Sequence, residues 1–171
     1  MGAIAETVRR PAAARGAGGL PRLPGRILAP VDFSAHADGA IAAAAGLARR
    51  LGAELILVHV IPDEELRAIA RSRLARRGLD QILEELGQAV EDHALKVVGF
   101  GSGKGPPMQG LAVSGLPAEG IMRAAALLEA DLIVMATHGR TGLSHAVMGS
   151  VAEDVVRRAP CPVLTIRPAP H

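Results

Sequence analysis

Residues 131–136 read Asp131-Leu132-Ile133-Val134-Met135-Ala136. They run into Thr137-His138-Gly139-Arg140-Thr141-Gly142-Leu143-Ser144-His145-Ala146-Val147-Met148-Gly149-Ser150. The first six residues are an acid followed by a continuous apolar run, the pattern of a strand covered on both faces. The glycine-punctuated stretch after them reads as a loop. A helix over residues 151–159 follows, stopped by Pro160 and Pro162, and residues 163–166 (Val-Leu-Thr-Ile) form a last strand. Strand, loop, helix, strand is the unit of a parallel sheet with helical crossovers.

The same alternation extends upstream. Residues 27–31 are an apolar run ending at Asp32. Ser34 is placed to cap a helix to about Arg50, which Gly52 ends, and residues 55–60 (Leu-Ile-Leu-Val-His-Val) are a second strand. Pro62, Asp63, Glu64 and Glu65 open a long helix with a broken apolar stripe, which Gly78 splits. Its arginines, Arg67, Arg71, Arg73, Arg76 and Arg77, read as a solvated face rather than a nucleic-acid patch. Residues 99–110 are rich in glycine and proline and read as a flexible loop, residues 111–114 as a weak strand, and Gly115 and Pro117 precede a helix to about Ala130.

The order β-α-β-α-β-α-β-α-β predicts an α/β fold: a doubly wound, five-stranded parallel sheet of order 3-2-1-4-5 with helices on both faces, Rossmann-like. In that order the winding reverses between the first and fourth strands. Ligands of such sheets bind outside the carboxyl ends of the strands at that switch point, here the loops after Asp32 and after Ala136.

Composition bounds the chemistry. The 171 residues are 49% hydrophobic and 21% charged, enough apolar material for one domain's core. Only 1% are aromatic, with no Trp or Tyr and just Phe33 and Phe100, which excludes function on an aromatic stacking platform. A net charge of +2 gives no broad cationic field, so no nucleic-acid partner is expected, and no run is long enough to span a bilayer, so no membrane partner either. The single cysteine, Cys161, excludes a disulfide framework and multi-Cys zinc patterns and points to a cytoplasmic location. Residues 1–25, rich in Ala, Arg, Gly and Pro, read as a disordered extension ahead of a domain over residues 26–171. An organellar presequence shares that bias, but arginine outnumbers lysine along the whole chain.

At the expected crevice, Asp32 stands where a carboxylate either accepts from ribose hydroxyls or bonds the amides of the following helix start. Gly139 and Gly142 let backbone amides approach an anion. Ser150-Val151-Ala152-Glu153 reads as a capping box, making Ser150 a helix N-cap. A helix start at the switch point is either a plain cap or a phosphate site. Phe33 reads as packing under the first helix.

These residues carry a family resemblance. Residues 131–145, then Gly149-Ser150-Val151-Ala152-Glu153 and residues 159–164 (Ala-Pro-Cys-Pro-Val-Leu) resemble the universal stress protein family. So do residues 27–34 (Ile-Leu-Ala-Pro-Val-Asp-Phe-Ser), Val58-His59-Val60 and Gly115-Leu116-Pro117-Ala118. The resemblance implies the fold already expected and the ATP-binding type, whose motif is Gly-x-x-Gly, nine residues, then Gly-Ser or Gly-Thr. Gly139, residues 140–148 and Gly149-Ser150 match it; Ala136 stands where the first glycine belongs. By resemblance, Val31 and Asp32 meet adenine and ribose, and Val60 lines the adenine slot. Gly139, Arg140, Gly149, Ser150 and Val151 surround the phosphates, mostly through backbone amides, and Pro30, Ala136, His138 and Gly142 complete the candidate nucleotide-binding set. The resemblance further implies ATP with Mg2+ or Mn2+ and a homodimer through residues 163–166, an apolar edge strand that is otherwise covered within a monomer. The function expected is a nucleotide-responsive regulatory or stress-protective protein, in which ATP orders residues 137–150 for a partner of unknown identity. The alternatives are a slow ATPase or adenylyl-transfer enzyme, using His138 and Arg140, and a family member that binds no nucleotide.

Other signals are weaker. Gly101-Ser102-Gly103-Lys104-Gly105 fails as a phosphate loop: Val98 occupies the place of the first glycine, Gly105 that of the Ser or Thr, and Pro106-Pro107 forbid the helix. The six histidines form no metal-ligand pattern; His138 reads as a loop hydrogen-bonding residue before a base. Cys161, between two prolines, reads as buried and inert rather than redox-active.

Overall fold

The computed structural model describes residues 23–71, 78–99, 105–137 and 148–167. In order they form β1 (Arg26–Pro30), α1 (Ala35–Leu51), β2 (Glu54–Ile61), α2 (Asp63–Arg71), α3 (Leu79–Val98), β3 (Met108–Ser114), α4 (Pro117–Leu127), β4 (Leu132–Ala136), α5 (Ser150–Arg158) and β5 (Val163–Ile166). The strands pair in parallel in the order β3-β2-β1-β4-β5, as the alternation of apolar runs predicts.

Alternation of side chains across each strand divides the core into two layers. Ile27, Ala29, Leu55, Leu57 and Val134 point to one face and are covered by α1 and α3, which bring Ile41, Ala44, Ala48, Val90 and Ala94. Leu28, Ile56, Val58, Ile133 and Met135 point to the other, under α4 and α5, which bring Ile121, Ala124, Ala125, Ala152 and Val155. The α1 stripe is almost all alanine: Ala37, Ala40, Ile41, Ala44, Ala45 and Ala48 recur at helical spacing. Ser34 caps α1 by accepting from the Ala37 N–H at 3.2 Å. Gly52 ends it in the left-handed region with φ 65°, donating its N–H to the Ala48 carbonyl.

The long helix expected after Pro62 is two helices. Gly78 is the N-cap of α3, and residues 72–77 lie outside the described residues. The loop expected over residues 99–110 is shorter than its composition suggests. Met108, Gln109 and Gly110 belong to β3, paired with Leu55, Ile56 and Leu57 of β2. Residues 100–104 lie outside the described set, and with them the Gly-Ser-Gly-Lys stretch and Phe100. The glycine at position 110 reflects contact rather than flexibility. A Cβ there would lie 2.1 Å from the Gly87 carbonyl oxygen and 2.7 Å from the Glu91 nitrogen, so α3 crosses directly over bare β3 backbone.

At the amino ends of the strands, Asp131 Oδ2 accepts from the N–H groups of Gly25 and Arg26, both at 2.9 Å. Arg26 in turn donates to the Leu128 carbonyl at 2.9 Å and pairs with Glu129 and Glu54. Cys161 lies near this cluster, half-buried rather than fully buried. Burial pushes its thiol up, and the Asp131 charge adds to the shift, against a hydrogen bond with the Ile133 backbone. No helix among the described residues is long and apolar enough to cross a membrane. Residues 1–22 of the expected extension lie outside the described residues.

Two glycines give opposite expected outcomes on substitution. Gly110→Ala forces α3 off β3 and is expected to destabilise by about 2–3 kcal/mol, read as a lower urea midpoint. Gly39→Ala, on the exposed face of α1 with no heavy atom within 4 Å of the new Cβ, is expected to stabilise by about 0.5–1 kcal/mol in the same titration. Because its pKa is raised, Cys161 holds less thiolate at pH 8 than a free cysteine. Its alkylation by iodoacetamide is expected to be slower than that of a free cysteine at that pH and to go on climbing as the pH rises.

Candidate functional site

The crevice at the winding reversal arises from where backbone pairing stops. Along a strand, successive residues turn their N–H and C=O to opposite neighbours. The Arg26 carbonyl accepts from Asp131 on the β4 side, and the Val31 N–H donates to the Val58 carbonyl (2.9 Å) on the β2 side. Pro30 therefore faces β4, and it has no N–H to give. The β1–β4 ladder holds only Ile27 against Leu132 and Leu28 against Ile133, and it stops there. On the other side β2 overruns β1: pairing with β1 ends at Pro30 against Val58, while pairing with β3 continues to Ile61 against Ser114. His59 and Val60 thus stand beyond the end of the central strand.

The corner between β1 and α1 is built from a chain of short bonds. Asp32 Oδ1 accepts from the Ser34 N–H (3.0 Å) and from the Ser34 hydroxyl (2.6 Å), whose oxygen accepts from Ala37. Of the two roles open to Asp32, the bond to the helix start is thus present. The Val31 side chain is 3% exposed and lies in the core under α1. What Val31 brings to the crevice is main chain, and its carbonyl is bound to His59 Nδ1 at 2.7 Å.

Phe33 does not pack under the first helix. It is 43% exposed, with φ 60°, a left-handed conformation rare for a bulky residue. Its ring lies 5.0 Å from that of His59 and 5.2 Å from that of His93. Val60 turns its methyls onto α4, where a Cβ on Gly120 would lie 2.6 Å from Val60 Cγ1. The bare Gly120 backbone lets Val60 recede.

The second wall starts at β4. Ala136 is the last residue of that strand, paired with Ile166. Among the described residues only Phe33 and Glu129 combine a side chain with positive φ, so position 136 makes no conformational demand for glycine. Thr137 is buried and joins three elements: its N–H donates to the Ile166 carbonyl (3.1 Å), and its carbonyl accepts from the Gly149 N–H (2.8 Å). That second bond brings the start of α5 to the end of β4. His138, Gly139, Arg140 and Gly142 lie outside the described residues.

Ser150 is not the N-cap. Gly149 holds that position, with φ −62° and ψ 147°, and Ser150 is the exposed first residue of α5. The capping box is not formed: the helix start carries no side-chain cap hydrogen bond, and Glu153 pairs with Arg157 one turn on, at 2.8 Å. Val151 is half-buried behind Ser150. A helix start capped by glycine leaves first-turn N–H groups that an anion can take. Among the described residues no group of three or more His, Cys, Asp or Glu is arranged to hold a metal ion. His59 and Gly120 are the residues at the crevice to which the sequence alone assigns no role. A histidine at the end of an otherwise apolar strand was the available signal for the first; nothing local marked the second.

A doubly wound sheet with this order, an Asp-Phe-Ser corner after β1 and a Gly-Ser helix start after β4 places the chain in the universal stress protein family, whose model matches residues 24–167. A universal stress protein from Thermus aquaticus is 36% identical over 144 residues, covering 82% of this chain and 97% of that protein. Universal stress protein MJ0577 from Methanocaldococcus jannaschii is 30% identical over 158 residues, covering 83% of this chain and 94% of that protein. Its solved structure superposes with a TM-score of 0.66 at 27% identity, over 87% of this chain and 99% of that one. Two universal stress proteins solved with nucleotides share the fold. One is in complex with cAMP (TM-score 0.59, 20% identical, 86% of this chain and 99% of that one). The other, from Archaeoglobus fulgidus, is in complex with dAMP (TM-score 0.54, 22% identical, 84% and 98%).

Proposed function

We propose that this chain binds an adenine nucleotide, ATP with Mg2+ or Mn2+, in the crevice between β1 and β4, and serves as a cytoplasmic, nucleotide-responsive stress protein. The observation that carries the reading is the Gly149 N–H bond to the Thr137 carbonyl. It sets a glycine-capped helix start beside the end of the strand where the winding reverses. The N–H groups of Ser150 and Val151 would take the phosphates there, beside Gly149, whose own N–H is held by Thr137 and whose missing side chain leaves room, together with Gly139, Gly142, Arg140 and His138. Pro30, Val31 and Asp32 would meet the base and ribose from the β1 side, with Val60 at the back of the slot. In this reading the cation arrives with the phosphates it neutralises. The nucleotide complexes of the two fold neighbours are compatible with this reading.

A homodimer is proposed through β5. Among the described residues that strand ends the sheet and pairs only with β4, and Leu164 is 39% exposed. An open strand edge with an apolar side chain is suited to pairing with a second copy.

Titration calorimetry is expected to show saturable ATP binding, with adenosine weaker by at least about tenfold, because the phosphate contacts dominate. No binding at millimolar ATP, or equal affinity for adenosine, would sink the reading. Ala136→Gly is expected to leave ATP affinity within about threefold, since the strand geometry at 136 does not require glycine. Sedimentation velocity is expected to give a two-chain species that Leu164→Lys dissociates; a monomeric wild type would exclude the β5 dimer.

A further inference from the structure

The last bond that β2 makes to the central strand comes from a side chain. The Val31 N–H closes the ladder on the Val58 carbonyl, and the Val31 carbonyl is then met by His59 Nδ1 at 2.7 Å. A carbonyl oxygen only accepts, so Nδ1 carries the proton. The imidazole reaches from a strand that extends past β1 to the point where the chain must turn through Asp32 and the left-handed Phe33 into α1. The other side of the corner is held as well. The Phe33 ring stands between His59 and His93, and His93 Nε2 lies 2.7 Å from Asp38 Oδ1 of α1. Thus β2, α3 and α1 all converge on two residues, Val31 and Phe33, that flank Asp32.

We propose that His59 is a positioning residue for the nucleotide site: its Nδ1–H fixes the Val31 carbonyl and so sets the β1–α1 corner that bears Asp32. This rests on the nucleotide reading above. A main-chain donor at this point would bring β2 and β1 to normal ladder spacing. The imidazole holds the carbonyl while leaving the backbones free to part. Val31 is then a fixed point of the corner, with both its polar groups engaged, and Asp32 follows it by one residue.

The donor and the ring can be separated by substitution. In His59→Asn the side-chain amide nitrogen falls near the place of Nδ1, so the donor is kept and the ring lost. His59→Phe keeps a ring against Phe33 and loses the donor. His59→Leu, also without a donor, serves if His59→Phe does not fold. Two measurements are made on the full chain: amide exchange at Val31 without ligand, and ATP affinity by calorimetry. In the donor-less variant, Val31 exchange is expected to be about tenfold faster and ATP binding about tenfold weaker, the scale of one lost hydrogen bond. His59→Asn is expected to stay within about threefold of wild type in both. A donor-less variant that matches wild type overturns the proposal. So does an equal loss in the Asn and donor-less variants, which would make the ring's packing responsible. If wild type binds no ATP, the nucleotide reading fails on its own, and the exchange comparison still decides whether His59 holds the corner.

Discussion

Pro30 lacks a backbone donor at the place where the central strand would otherwise go on pairing with β4, and the architecture of the crevice depends on that absence. A parallel ladder is a series of N–H groups reaching sideways, and one missing donor ends it. Because β1 is central, the interruption falls inside the sheet instead of at its margin. The neighbouring strands continue on both sides: β2 to Ile61 and β4 to Ala136. A cleft forms between elements that are otherwise packed at full density, with two aliphatic cores beneath it. Its floor is rigid because Ile27, Leu28 and Ala29 are fully buried between two layers of helices.

The walls are made mostly of backbone. Glycine at 149, a buried threonine linking three elements, and a corner closed by Asp32 and Ser34 present amides and carbonyls more than side chains. Main-chain groups on rigid elements lose little entropy when a ligand arrives. A chain nearly without aromatic residues offers no stacking platform, and a crevice walled by backbone is suited to a charged group more than to a flat ring. Gly120 contributes in a related way, from the other layer: by having no Cβ it lets Val60 lie back against α4.

The sheet order and the two-faced core were legible because each strand is a continuous apolar run bounded by turn residues, and each helix repeats its apolar residues at helical spacing. The start of β3 was not legible. Gly110 and the prolines before it look like a loop, and only the crossing of α3 over bare backbone explains the glycine. The Ser150 cap was not decided by pattern, because Glu153 has two local partners, Ser150 three residues before it and Arg157 four after, and it pairs with Arg157. Phe33 was misjudged for a related reason. An apolar ring is normally buried, and nothing in its neighbours reveals that histidines from β2 and α3 converge on it. The crevice's location followed from topology alone, since a doubly wound sheet has its switch point wherever the strand order reverses. Its detailed shape depends on contacts between residues 28 and 55 positions apart, which local pattern does not encode.

Phe33 also makes the corner observable. The chain has two phenylalanines and no tyrosine or tryptophan, so fluorinated phenylalanine incorporated throughout would give two resonances. One of them belongs to a ring held between two imidazoles beside Asp32, where small changes in the geometry or charge of the corner alter the local magnetic environment. A single nucleus at the rim of the crevice then reports on that corner in solution. The near-transparency of the protein at 280 nm has a second use: an adenine chromophore travelling with it would stand out in an ordinary ultraviolet spectrum.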